Sequence, residues 1–447
     1  MKKAGALFLA AVLVFGPSAV AFSQEKLTLT LEDSIKLALE QNPFYLAEKA
    51  KEDQASYMVR EAVSNFFPTL NAQGIHVLDK KVMTIDMPSF VPGMPSQKIK
   101  LDFTRNYQFS LSFSLPLFAG GRLVSGYKQA DYNLMSTKEA IREAMQETIF
   151  NVKKAFYGYL LAKKFLEVSK EAVGLAEKHW KNVKNLYDVG MASKFDLLRS
   201  EVQVANLKPQ LIRAKNGLST AELGLKTLLG LDLKHPIEVK GELSAKEFQA
   251  DADASVAQAL ANRPEVNQLK FQKQMAAEMV KMARAAYLPT LAIGGIYNYW
   301  GNQFKFTKDL WESYYSVNLV LSIPIFNGFV NSAKLGESKA VLKQLDYSQK
   351  GLLEMVKFEV QDAILSLEQA KESLLSQEKN VEQAQEAARI ADLNYSEGLA
   401  TNLDVSSAQM ALTQAKTNHS QALFDYALAL AQLEKAIGAG GDKVADR

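Results

Sequence analysis

The chain contains no cysteine. That excludes a disulfide framework, and it excludes a mature chain anchored through a lipid-modified N-terminal cysteine. A strong charge of one sign is also missing. Removing Lys2 and Lys3 with an exported leader would leave 50 basic against 49 acidic residues, a net charge of +1 that argues against nucleic acid as a partner. Beyond the N-terminus no stretch of about 18 consecutive apolar residues occurs, so the sequence offers no later transmembrane helix. Histidine is scarce, and His76, His179, His235 and His419 show no ligand spacing. There is no glycine-rich phosphate loop between a strand and a helix, and no nucleophile–histidine–acid set. Catalytic, cofactor-binding and metal residues are therefore expected to be none, no cofactor is called for, and an exported enzyme has no residues to recommend it.

Proline is absent from Asn331 to Tyr395, and what fills this stretch organises the chain. From Leu353 the apolar positions advance in steps of three and four: Leu353, Val356, Val360, Ala363, Leu367, Ala370, Leu374, then Gln377, Val381, Ala384, Ala388, Ala391 and Tyr395. An unbroken three–four alternation is the seam of a left-handed coiled coil. A helix of about 65 residues would be roughly 100 Å long, beyond the needs of an ordinary globular domain. The same seam lies 208 residues earlier, from Met145 through Val152, Val173, Ala176, Trp180 and Val183 to Tyr187. Both copies end alike, in Tyr187-x-x-Gly190-x-Ala192 with Asp196 and Tyr395-x-x-Gly398-x-Ala400 with Asp404, and a second heptad run follows each Asp. Each half thus holds a long helical hairpin.

The duplication extends upstream at an offset of 221, with Pro43 over Pro264 and Pro68 over Pro289. Between the helices the period changes to two. Tyr107, Phe109, Leu111, Phe113 and Leu115 alternate with Gln108, Ser110, Ser112 and Ser114, and Tyr315 to Ile323 repeats this with only Val320 off pattern. Such a period marks strands with one apolar and one polar face. Thr69 to Leu78 and Thr290 to Trp300 are the weaker partner strands. About 9–11 residues suffice to cross a bilayer when tilted, and Tyr107, Tyr299, Trp300, Trp311, Tyr314 and Tyr315 suit an interfacial belt. Two hairpins supply four strands. Known bacterial barrels begin at about 8, and an open edge in lipid is untenable, so copies of the chain are expected to share one barrel. The two shorter helices of each half, placed end to end, match the long one in length.

The expected organisation is residues 1–21 a signal peptide (Lys2, Lys3, an apolar run, then Ala19-Val20-Ala21) and 22–235 a first structural repeat. Its β-hairpin lies at about 69–116 and its helical tip at about 187–196. Residues 236–252 form an equatorial linker, with a strand at Ile237 to Lys240. The second repeat is 253–438, with its β-hairpin at about 290–324 and its tip at about 395–404, and 439–447 form a disordered tail. Asp79 to Lys98 is turn-rich. Pro68, Pro116, Gly120, Pro289, Pro324 and Gly328 mark strand–helix junctions.

Taken together, ALEQNP at Ala38 to Pro43 and ALANRP at Ala259 to Pro264, the Pro-Thr-Leu turns, LPLFAGG at Leu115 to Gly121, IPIFNGF at Ile323 to Phe329 and the two Tyr-x-x-Gly tips resemble the TolC-type outer membrane efflux proteins. The resemblance covers nearly the whole mature chain. It implies a homotrimer whose 12-stranded outer-membrane β-barrel is continuous with a periplasmic α-helical coiled-coil barrel. It further implies a passive duct in the outer membrane, docked at its tips to a periplasmic adaptor and an inner-membrane transporter. By that likeness Tyr187, Gly190, Asp196, Tyr395, Gly398 and Asp404 form the periplasmic gate and adaptor-docking tip. Relatives close the tip with polar links, in some cases an Arg of the second tip to an Asp of the first; here Ala400 replaces that Arg and Ser407 a further Asp. Asp196 and Asp404 read equally as first-turn acids of their helices, Gly190 and Gly398 as left-handed turn positions, Tyr187 and Tyr395 as seam packing. The rival reading, a coiled-coil adaptor or scaffold, would have one helical hairpin and soluble β-domains. Cargo is not written in the sequence.

Overall fold

The computed structural model describes residues 27–88, 93, 95–101, 105–244, 251–305 and 311–439. The expected signal peptide lies outside the described residues, as do parts of the turn-rich segment, the equatorial linker and the tail.

Each half begins with a short capped helix. Thr30 and Asp33 form a reciprocal capping box at the start of α1 (Leu31–Gln41). Asn42 then ends α1 and caps α2 (Pro43–Ser64), taking the N–H groups of Phe44 and Tyr45, with Pro43 in the first turn where its missing N–H costs nothing. Strands β2 (Thr69–His76), β3 (Met83–Met87), β4 (Gln97–Leu101) and β5 (Tyr107–Ala119) follow, then α3 (Arg122–Asp188) and α4 (Lys194–Leu229). The second half repeats the order: α5 (Ala252–Asn262), α6 (Pro264–Ala285), β7 (Thr290–Gly301), β8 (Trp311–Ser322), α7 (Val330–Ser396) and α8 (Asn402–Ala436). Helices α3 and α7 each have 67 residues, roughly 100 Å of helix. Among the described residues no helix is long and apolar enough to cross a membrane.

The helices form one curved layer. Helices α2 and α4 flank α3 on one side, α6 and α8 lie between α3 and α7, and α7 is the far edge. Seam residues Val356, Val360, Ala363, Leu367, Ala370 and Leu374 of α7 are buried as the spacing predicts. On α3 the tip seam shifts by one residue: His179 is buried where Trp180 was expected. Because α3 has neighbours on both sides, it must bury two stripes, and a single heptad line cannot describe it.

The shorter helices abut end to end. Helix α4 ends at Gly230 in the left-handed region (φ 69°), and a Cβ there would lie 2.4 Å from the Gln41 carbonyl oxygen at the end of α1. Helix α8 ends the same way at Gly438, against Asn262 and Arg263. A hydrophobic core gathers at each join. Leu29, Ile35, Val152, Phe156, Leu225, Leu229, Ile237 and Val239 fill the first, and Val356, Val360, Ala259, Tyr426 and Leu433 the second. Strand β1 (Leu27–Leu29) pairs in parallel with the linker strand β6 (Ile237–Val239) over the first core.

The sheet order is β2-β5-β7-β8, antiparallel throughout. The register sets Leu111 beside Ala72 and Tyr297, and Ser110 beside Gln73 and Asn298. One face therefore carries Leu70, Phe109, Leu111, Phe113, Ile293, Tyr297, Val317 and Leu319, the other Gln73, Ser110, Ser112, Asn298, Ser316 and Asn318. Two expectations need correction. Pro116 is no junction: it sits inside β5 at a bulge (the register shifts between Pro116 and Phe118), where a missing N–H is tolerated. The turn-rich segment holds a paired hairpin, β3 with β4, whose Met83, Ile85, Ile99 and Leu101 alternate too briefly to stand out among prolines. Pro209 lies within α4 on an exposed turn, and the helix runs through it as its heptad run implies.

Gly230→Ala is expected to lower the thermal midpoint in detergent well below that of Gly190→Ala. Both glycines have positive φ, so both lose about 1–2 kcal/mol of backbone energy. Only Gly230 adds a clash, since nothing lies within 4 Å of a Cβ at Gly190. Equal midpoints would show that the joint between α4 and α1 is not a tight contact.

Candidate functional site

The two tips are built alike. Gly190 (φ 80°) and Gly398 (φ 73°) turn the chain. Their N–H groups donate to the Tyr187 and Tyr395 carbonyls at 2.9 and 3.1 Å, and the next N–H groups, of Met191 and Leu399, reach back to Leu186 and Asn394 at 2.7 Å each. These are helix C-caps closed by a left-handed glycine. The following helix starts on a hydroxyl. Ser193 Oγ accepts from the Asp196 N–H at 3.1 Å and donates to its carboxylate at 2.6 Å. Thr401 and Asp404 do the same, and the Thr401 N–H adds a bond of 2.8 Å to the Asp404 carboxylate. Asp196 and Asp404 are thus both third-position acids of their helices, partners in the duplication at its offset of 208. The Thr401 hydroxyl and N–H hold the Asp404 carboxyl below the usual carboxylate range. That contribution is present above the ordinary carboxylate pKa of about 3.9 and is lost as acid carries the pH down through the lowered folded value.

The tyrosines diverge. Tyr187 is exposed, with the Lys194 ammonium 5.4 Å above its ring. Tyr395 is half-buried, and burial, then Asp196, push its hydroxyl above the usual tyrosine range. Its ring meets His179 edge-on at 5.0 Å. His179 Nε2 lies 2.8 Å from Asn402 Oδ1, and Asn402 Nδ2 donates to the Asp196 carbonyl at 2.8 Å. Neither His179 nor Asn402 is evident in the sequence as a site residue. The signal was available in hindsight only as a polar residue beside an apolar seam, and that pattern is common. Beside them, Asn182, Asn185, Leu186, Arg389, Asp392 and Tyr395 line a cleft of about 520 Å³ between α3 and α7.

At the other end, Pro68 and Pro289 precede β2 and β7, and Pro324 lies in the extended segment between β8 and α7. Gly120 (φ 61°) approaches the α6–β7 turn so closely that a Cβ would lie 2.8 Å from the Ala285 carbonyl. Its repeat partner Gly328 (φ 66°) faces open space. Phe329, with φ 68°, takes the left-handed place of Gly121. On the apolar face of the sheet, His76, Tyr107, Tyr299 and Trp311 cluster at the end away from the helices, with Tyr299 and Trp311 rings 4.7 Å apart. Phe66, Phe67, Phe118, Tyr287 and Phe326 lie exposed at the helical end.

Thr401→Ala is expected to cost about 1 kcal/mol of local stability through loss of the cap. The check is amide hydrogen exchange, which should quicken in the first turn of α8 and not in α4. Uniform loosening of both hairpins would contradict a local role.

Residues 34–231 and 256–439 match the family model of the outer membrane efflux protein. The chain is 25% identical over 403 residues to a probable efflux pump outer membrane protein, TtgC, of Pseudomonas putida, covering 87% of this chain and 78% of that protein. It is 24% identical over 438 residues to the alkaline protease secretion protein AprF of Pseudomonas aeruginosa, covering 94% of this chain and 86% of that one. Its fold is similar to the crystal structure of a membrane protein from Pseudomonas aeruginosa, with a TM-score of 0.76 at 20% identity over 91% of this chain and 93% of the other. These likenesses favour the channel over the adaptor or scaffold. The chain belongs to the outer membrane efflux protein family and is an outer-membrane channel of efflux and secretion systems.

Proposed function

We propose that three copies of the chain close a 12-stranded barrel in the outer membrane, continuous with a periplasmic helical tube whose tips form the entrance. The observation that carries this reading is the four-stranded sheet with two free edges, β2 and β8. In lipid each unpaired N–H and C=O costs several kcal/mol, so the edges must be satisfied by other copies. Three further observations support it. The sheet has one apolar and one polar face, and aromatic residues gather at both ends, as a lipid-facing wall requires. Gly328, open within one chain, would meet the α2–β2 turn of the next copy as Gly120 meets the α6–β7 turn in its own. Phe358, Leu365 and Leu375 on α7 and Val202 and Ile212 on α4 leave apolar side chains exposed at opposite edges of the helical layer.

In this arrangement the polar face of the sheet lines the exit, and cargo moves passively from a periplasmic adaptor and an inner-membrane transporter. Tyr187, Gly190, Asp196, Tyr395, Gly398 and Asp404 stand at the entrance, and the cleft between α3 and α7 suits a helical tip of the adaptor. Six carboxylates, Asp196 and Asp404 from three copies, would ring the entrance and attract cations.

Mass measurement of the detergent-solubilised mature protein is expected to give a trimer; a stable monomer would sink the proposal. Leu111→Arg is expected to block assembly, since a mid-bilayer Arg costs about 2–4 kcal/mol, while Ser110→Leu assembles. The reverse ranking would place Leu111 in the lumen. Asp404→Asn keeps a good cap and is expected to lower cation selectivity in planar bilayers, with the difference masked by salt. Selectivity equal to wild type would leave Asp404 a cap and nothing more.

A further inference from the structure

The Arg link by which some relatives close the tip is ruled out by Ala400, and the structure holds a different link across the two repeats. His179 on α3 and Asn402 on α8 are each only 3% exposed. Asn402 Nδ2 donates to the Asp196 carbonyl of α4. That fixes the amide orientation and turns Asn402 Oδ1 toward His179 Nε2, 2.8 Å away. An amide oxygen only accepts, so Nε2 must carry the hydrogen. The other ring nitrogen, Nδ1, is buried with no hydrogen-bond partner among the described residues. The neutral ring therefore fits this site in a single tautomer, with its N–H on Nε2 and a bare lone pair on Nδ1.

We propose that His179 and Asn402 form the latch that holds the second helical tip on the first, and that protonation of His179 releases it. A proton on Nδ1 adds an N–H and a positive charge where no acceptor waits, and an unpaired buried charge is strongly unfavourable. The protonated ring is accommodated when the α7–α8 tip parts from α3–α4 and water enters. The titratable groups on the surrounding turns do not supply the missing acceptor. Asp196 on α4 and Asp404 on α8 bond their own cap hydroxyls. Tyr395 on α7 meets the ring edge-on. Arg199 on α4 is a cation. Asp392 on α7 lines the open cleft beside Asn182 and Asn185. One turn away on its own helix His179 has Leu175, Ala176, Asn182 and Val183, none of them charged.

The link is not a product of the duplication. At the offset of 208, Ala387 corresponds to His179, and Lys194 corresponds to Asn402. It is therefore made once per chain, between repeats and never within one. As the entrance of the channel, the tip would then open more readily in acid. This consequence for transport rests on the tip being the entrance, as proposed above; the latch itself does not.

The test is hydrogen exchange of the intact protein in detergent, followed at residues 185–200 and 393–406 and corrected for the intrinsic pH dependence of exchange. Between about pH 7.5 and about pH 5.5 the wild type is expected to open more often, by about tenfold in all, as for one proton taken up by the open state. His179→Gln keeps an N–H donor and cannot titrate, and its tips are expected to stay protected at both pH values. Asn402→Ala removes the acceptor, and its tips are expected to open at both. A wild type without the acid step, the same step in His179→Gln, or wild-type protection in Asn402→Ala would each overturn the latch. Planar-bilayer conductance of the same proteins separates the two claims. If exchange follows the expected pattern while conductance does not change, the latch stands and the tip is not the gate.

Discussion

A backbone N–H or C=O in hydrocarbon has no water to bond, and this constraint governs the molecule. The sheet of β2, β5, β7 and β8 satisfies its inner strands and leaves two edges that no other strand among the described residues pairs. Everything at the membrane end follows from that deficit. Side chains alternate apolar and polar across the sheet, as the proposed barrel requires, with one face for lipid and the other for water. The strands feed directly into helices at Gly120 and Gly328, so whatever closes the sheet also closes the helical layer. A free α7 edge and a free α2/α4 edge are the helical counterpart of the free β8 and β2 edges.

Duplication supplies most of this geometry, and its departures from symmetry are where the repeats take different tasks. Asn42 and Arg263 occupy the same place before the Pro of each second helix. The first caps α2 and donates to the Leu228 carbonyl at the end of α4 at 2.8 Å. The second makes no cap and instead bridges Glu265 and Glu359 of α7 at 2.9 and 2.5 Å while nearly buried. Lys153 with Glu434 and Lys435 with Glu147 continue the ionic ties between α3 and α8. Both joins thus hold an apolar core, and ion pairs between helices gather near the second. At the tips the asymmetry includes the contact between His179 and Asn402.

Long elements were legible in the sequence because period and length reinforce each other. Helix α7, with neighbours on one side, buries the residues its heptads predict. Helix α3, packed on both sides, buries Val152, Val173, Ala176 and Val183 of its predicted seam but also a second stripe, and the one-residue shift from Trp180 to His179 hid a site residue. The strands β5 and β8 read clearly from nine alternating positions, whereas β3 and β4, five residues each among prolines, did not. Pro116 looked like a junction because a proline normally ends a strand, but a bulge accommodates it. At the tips the turns and acids could be placed from Tyr-x-x-Gly and Asp. The link between repeats could not be placed, because the interlocking of two hairpins is set by tertiary contact and leaves no local pattern.

The seam between copies offers the most direct test of closure. The duplication projects the β5–β7 register onto β8 and the next copy's β2, so that the pair Ser112–Ile296 becomes Val320–Ile75. Both residues are apolar on the polar face, and across a seam they would pack on each other. Within one chain β8 and β2 are at opposite edges of the sheet, three strand spacings or roughly 14 Å apart. The native chain has no cysteine, so Val320→Cys with Ile75→Cys adds the sole thiols. Directly opposed residues bring their Cβ atoms to about 4.5–5.5 Å, within disulfide reach once the strands relax slightly. On oxidation in the membrane the account predicts covalent dimers followed by a trimer that grows no further. Products that remain monomeric, or that extend in an open ladder beyond three chains, would contradict it.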